Sequence, residues 1–162
     1  TLLQTNGDII FLGNSITDGA EWTELFDDIR VKNSGISGDI TAGVINRLDE
    51  ITDRKLSKVF LLIGVNDLAR NTSTDSIVKN ILLIADYIRL QSSSTKLFVQ
   101  SILPVNNVYG KFATHTNKGE QIKIINAQLK DNANNQGYTY IDLYSSFVDE
   151  NGKLKAKLTN DG

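Results

Sequence analysis

The chain has 162 residues, 40% hydrophobic and 22% charged, enough for one domain around one good core. A formal net charge of −2 leaves no basic field to hold nucleic acid, and no stretch approaches the roughly 20 apolar residues of a membrane-spanning helix. With no cysteine there is no disulfide, thiol nucleophile or cysteine metal site, and no His/Asp/Glu grouping has ligand spacing, so no metal is expected.

In chain order, Asp8-Ile9-Ile10-Phe11-Leu12-Gly13 reads as a buried strand closed by glycine. A shorter strand is predicted at Arg30 to Asn33, and a helix from about Thr41 to Ile51 that lines up Val44, Leu48 and Ile51. Lys58 to Gly64 repeats the first strand's design. The strongest helical signal runs from Thr74 to Gln91, where Ile77, Ile81, Ile84 and Ile88 form one stripe and Thr74 is placed to cap the start. A strand at Lys96 to Ser101 and a long loop from Pro104 to Gly119 follow. A helix from Lys118 to Asn134, stopped by Gly137, and a strand at Tyr138 to Asp142 complete the series.

Alternating strands and helices imply right-handed crossovers and an α/β fold, a three-layer α/β/α sandwich with a five-stranded parallel sheet. The near-continuous apolar strands are expected to be covered on both faces. Functional groups in such sheets gather beyond the carboxyl ends of the strands.

Three polar clusters fall at those ends: Gly13-Asn14-Ser15-Ile16-Thr17-Asp18-Gly19, Asn33-Ser34-Gly35-Ile36-Ser37-Gly38-Asp39 and Gly64-Val65-Asn66-Asp67. Each alone has an ordinary structural reading: a helix-capping serine, a β-α turn and an Asn-Asp turn. Together they supply a hydroxyl, a glycine N–H and an amide donor at three strand ends, the parts of an oxyanion site.

Gly13-Asn14-Ser15-Ile16-Thr17, Asn33 through Gly38 and Gly64-Val65-Asn66-Asp67 resemble the first three blocks of the SGNH, or GDSL-like, hydrolases. The resemblance lies on the side of the platelet-activating-factor acetylhydrolase-like enzymes and sugar acetylesterases. It implies a flavodoxin-like sheet and a serine esterase with Ser15 as nucleophile. The oxyanion donors would be the Ser15 N–H, the Gly38 N–H and the Asn66 side-chain amide. The substrate implied is a small-molecule or carbohydrate ester, with acetyl as the acyl group. Asn14 stands where the family usually has aspartate, a position outside the nucleophile.

The family's last block is Asp-x-x-His. Asp161-Gly162 resembles its first half, which makes Asp161 the residue that orients the imidazole and puts the histidine two residues past Gly162. The sole histidine of the chain, His115, would act as base only if its loop folded over Ser15; a histidine facing solvent or substrate is expected there. The start at Thr1 and the finish inside a motif suggest a single hydrolase domain over 1–162 cut from a longer parent, with a lean towards export through a bacterial envelope.

Two readings compete. A carbohydrate- or ester-binding domain would keep the pocket and lack the base, and a flavodoxin-like nucleotide binder would share only the sheet type. Trp22 reads as either pocket rim or helix packing, and Lys153, Lys155 and Lys157 as a solvated turn beside Asp149 and Glu150.

Overall fold

The computed structural model describes residues 3–162. Five parallel strands form one sheet: β1 (Asp8–Gly13), β2 (Val31–Gly35), β3 (Leu56–Leu62), β4 (Lys96–Gln100) and β5 (Thr139–Ile141), in the order β2-β1-β3-β4-β5. The longer helices are α6 (Thr74–Gln91) and α8 (Gly119–Gln136). Shorter ones are α1 (Ser15–Asp18), α2 (Trp22–Phe26), α3 (Thr41–Asn46), α4 (Leu48–Thr52), α5 (Val65–Ala69), α7 (Ala113–Thr116) and α9 (Tyr144–Phe147).

Register sorts the strand side chains onto two faces. Ile10 and Leu12 of β1 lie beside Val59 and Leu61 of β3, which lie beside Leu97 and Val99 of β4. These join Val44, Leu48, Ile77, Ile81, Ile84, Ile88, Ile122, Ile125 and Leu129 in one buried core beneath α3, α4, α6 and α8. Because α6 buries Ile77, Ile81, Ile84 and Ile88 on one stripe, its helicity is sustained by tertiary packing more than by propensity.

The opposite face carries an aromatic row. Phe11 pairs in register with Phe60 and Phe60 with Phe98, and the rings stack at centroid separations of 4.8 and 4.6 Å. Trp22 of α2 stacks on Phe11 at 3.9 Å and donates its indole N–H to the Thr17 carbonyl at 2.7 Å. Trp22 is therefore a packing residue. Cover is thinner on this face: Phe11 is buried, whereas Phe60 and Phe98 remain half-buried. A continuous apolar run does not distinguish full cover from an aromatic face that stacks partly on itself.

Two further details depart from the sequence reading. The helix expected from Thr41 to Ile51 breaks at Arg47 (φ −120°, ψ 14°) into α3 and α4. The cap of α6 is Ser73, whose hydroxyl accepts from the Ser76 N–H, rather than Thr74. Gly137 ends α8 in the left-handed conformation (φ 69°), as its residue type predicts.

Chain connections diverge from the centre of the sheet. β1 leads to β2 on one side and β3 leads to β4 on the other, so the space beyond the carboxyl ends of β1 and β3 is the crevice of an open α/β sheet.

Candidate active site

Ser15, Ser37, Gly38, Asn66, Arg70, His115 and Asp161 line one cleft of about 720 Å³ at that crevice. The structure thus brings together Ser15, Gly38, Asn66 and Asp161, drawn from four separate parts of the chain.

Ser15 is the first residue of α1, directly after β1. Asn14 caps this helix, its Oδ1 accepting from the Ile16 N–H at 3.0 Å. The departure from aspartate therefore leaves the cap in place, since an amide oxygen accepts the same bond. The Ser15 N–H sits in the first turn, where no intrahelical acceptor exists, and the Ser15 hydroxyl has no hydrogen-bond partner among the described residues. Close packing seats α1 against β2: a Cβ on Gly35 would meet the Asp18 nitrogen at 2.2 Å.

Gly38 has φ +78°, a conformation glycine adopts without penalty. Its carbonyl accepts from the Arg70 guanidinium at 3.0 Å, and its N–H has no partner among the described residues. The next residue, Asp39, pairs with Arg47 at 2.9 Å. Arg47 also donates to Ser34 Oγ at 2.8 Å and to the Gly13 carbonyl at 3.3 Å, tying the ends of β1 and β2 to the second cluster.

Asn66 lies in α5, behind Gly64 at φ +127°. Its Nδ2 donates to the Asp39 carbonyl at 2.8 Å and its Oδ1 lies 3.1 Å from His115 Nε2. One Nδ2 proton is thereby occupied and the other is left for a ligand. Asp67, buried beside it, accepts from both the backbone N–H and the hydroxyl of Thr41, so the third cluster is anchored to α3.

His115 belongs to the cleft wall, on α7 within the long loop, with Phe112 edge-on to its ring at a 5.7 Å centroid separation. Its hydrogen-bond partners are Asn66 and, at 3.3 Å, Thr114, not Ser15. Burial pushes its pKa below the usual 6.5, favouring the neutral ring at pH 7. Asp161 accepts from the Thr159 hydroxyl at 3.0 Å, and the Gly162 carbonyl accepts from the Asn106 N–H at 3.0 Å, which holds this segment against the loop after β4.

Arg47, Thr41, Asp67 and Arg70 were not singled out from the sequence. They act through contacts with residues far along the chain. The position of Asp67 beside Asn66 gave a local hint, but turn chemistry accounted for it equally well.

The GDSL-like Lipase/Acylhydrolase family model matches residues 11–162, and the chain belongs to that family. It is 26% identical over 136 residues to the platelet-activating factor acetylhydrolase IB subunit alpha2 of Homo sapiens, a match covering 76% of this chain and 58% of that protein. The matched region thus spans under two thirds of that relative's length. Among solved structures, a protein from Bacteroides fragilis described as an acylhydrolase superimposes with a TM-score of 0.85 at 25% identity, covering 99% of this chain and 81% of that one. A GDSL-like lipase from Bacteroides thetaiotaomicron shares the fold, with a TM-score of 0.82 at 24% identity over 96% of this chain and 78% of that one. The family is one of ester hydrolases. No helix among the described residues is long and apolar enough to cross a membrane.

Proposed function

We propose that the protein is a serine esterase that removes a small acyl group, acetyl above all, through an acyl-enzyme on Ser15. The reading is carried by one observation: Ser15, Gly38 and Asn66 line the same cleft, the Ser15 and Gly38 N–H groups and the Ser15 hydroxyl have no hydrogen-bond partner among the described residues, and the Asn66 amide keeps one proton free. Unpartnered donors and a free hydroxyl lining one cleft suit acyl transfer, in which a tetrahedral oxyanion must be stabilised by fixed hydrogen-bond donors.

In this reading the histidine of the family's Asp-x-x-His block, oriented by Asp161, takes the proton from Ser15 Oγ. The oxygen attacks the ester carbonyl, and the negative oxygen is held by the Ser15 N–H, the Gly38 N–H and Asn66 Nδ2. The histidine returns the proton to the departing alcohol. Water, activated by the same base, then cleaves the acyl-enzyme and releases the acid. No cofactor takes part.

The preference for acetyl is supported by the likeness to an acetylhydrolase subunit; a carbohydrate alcohol rests on the motif resemblance to the sugar-acetylesterase branch alone. A series of p-nitrophenyl esters from acetyl to dodecanoyl tests the first point. The highest kcat/KM is expected at acetyl or propionyl, whereas a maximum at eight carbons or more would contradict it. Acetate release from acetylated xylo-oligosaccharides, compared with release from simple alkyl acetates, tests the second.

A further inference from the structure

The amide of Asn66 is gripped from both sides. On one side Nδ2 donates to the Asp39 carbonyl, which can only accept; on the other Oδ1 faces His115 Nε2 at 3.1 Å. Because Oδ1 can only accept, the ring carries its proton on Nε2, and Thr114 Oγ1, 3.3 Å from Nδ1, is within reach to donate to the bare nitrogen. With that proton in place, a half-turn of the amide would set oxygen against the Asp39 carbonyl and NH₂ against the imidazole N–H. Both contacts would then be repulsive. One orientation survives, the one that leaves a single Nδ2 proton unclaimed.

His115 is itself held. α7 packs against α5, the His115 N–H donates to the Phe112 carbonyl at 2.8 Å, and the Phe112 ring sits edge-on at 86°. Lys118 Nζ donates to Asn71 Oδ1 at 3.0 Å, a second tie between the end of α7 and the turn after α5. The loop from Pro104 to Gly119 is thus fastened onto the third cluster, and its histidine reaches the proposed oxyanion donor rather than the nucleophile.

We infer that His115 is a positioning residue of the oxyanion site: its Nε2–H fixes the Asn66 amide with Nδ2 turned to the substrate. This rests on the reading of Ser15 and Asn66 as nucleophile and oxyanion donor.

The test uses the full protein and the variants His115→Ala, His115→Gln, Asn66→Ala and the His115→Ala/Asn66→Ala pair. A glutamine amide can still donate to Asn66 Oδ1 but cannot act as a base. Loss of one orienting hydrogen bond is expected to lower kcat about 10-fold with KM changed by less than about 2-fold. His115→Gln should restore kcat to within about 3-fold of the parent, and His115→Ala should cost nothing further once Asn66 is gone. Equal collapse of both His115 variants by about 10³-fold or more would make His115 the base and overturn the proposal. So would an unchanged kcat in His115→Ala, or an equal loss in the Asn66→Ala background. The side-chain ¹⁵N–¹H resonances of Asn66 give a readout independent of turnover: they should shift in His115→Ala and return in His115→Gln. Resonances that ignore both substitutions would refute the contact. An unreactive Ser15 with shifting Asn66 resonances would instead place the failure in the esterase reading.

Discussion

The Asp67 carboxylate holds the start of α3, accepting from the Thr41 N–H at 3.0 Å and from the Thr41 hydroxyl at 2.6 Å. That N–H is one of the donors a helix start leaves unpaired, and Asp67 satisfies it with a charge placed favourably for the helix dipole. Asn80 adds a bond to Thr41 Oγ1 at 2.8 Å, so α3, α5 and α6 meet at this point. Asp67→Ala is expected to destabilise the protein by about 2–3 kcal/mol, the range for losing hydrogen bonds to a buried charged group. Turnover should fall as well, because Asn66 is the adjacent residue. Urea denaturation measures the first effect; an unchanged midpoint would remove Asp67 from this role.

Ser15→Ala should abolish ester hydrolysis, by about 10⁴-fold or more, the scale seen when a catalytic serine is removed. The fold should be untouched, since the hydroxyl makes no hydrogen bond among the described residues. Thermal melting together with hydrolysis rates separates the two effects.

Asn66→Ala should lower kcat by roughly 10²–10³-fold, the effect of losing one oxyanion donor. KM should change little, because the donor acts on charge that appears only in the transition state. Near-normal turnover would take Asn66 out of the site.

Two glycines of the second cluster should respond differently to alanine. A Cβ on Gly35 would lie 2.2 Å from the Asp18 nitrogen and 2.6 Å from its Cα, so α1 must move and Ser15 with it. Gly35→Ala is expected to cost about 1–3 kcal/mol and most of the activity. Around Gly38 nothing lies within 4 Å of such a Cβ, and only the φ of +78° is unfavourable. Gly38→Ala should cost about 1–2 kcal/mol while keeping the backbone N–H and therefore most of the turnover. Equal behaviour of the two variants in melting and rate measurements would contradict this account.

Burial holds His115 below the ordinary histidine value of 6.5. The unfolded chain therefore binds this proton at a higher pH than the folded one. The His115 contribution to stability is complete above pH 6.5. It declines as pH falls through 6.5, until the folded protein also takes up the proton. An NMR titration should give a midpoint below 6.5, and His115→Gln should remove this part of the pH dependence of unfolding.

Much of this was legible in the residues because much of it is local. Ile77 to Ile88 mark α6, Gly137 stops α8, and three polar clusters after apolar runs mark the carboxyl edge of the sheet. What stayed hidden depends on contacts made after folding. No proline marks the break at Arg47; α3 and α4 part where Arg47 reaches Asp39, Ser34 and the Gly13 carbonyl. His115 and Asn66 are 49 positions apart, and no periodicity connects them. The half-buried Phe60 and Phe98 look, in sequence, like any other residues of a covered strand.

Whether Ser15 is an activated nucleophile is read by covalent labelling of the full protein with a serine-reactive fluorophosphonate, followed by intact-mass measurement and peptide mapping. One phosphonyl group per chain is expected, carried by Ser15 and absent from Ser15→Ala. If a chain that includes the Asp-x-x-His histidine remains unlabelled, Ser15 is not an activated nucleophile, and the cleft belongs to a binding domain instead.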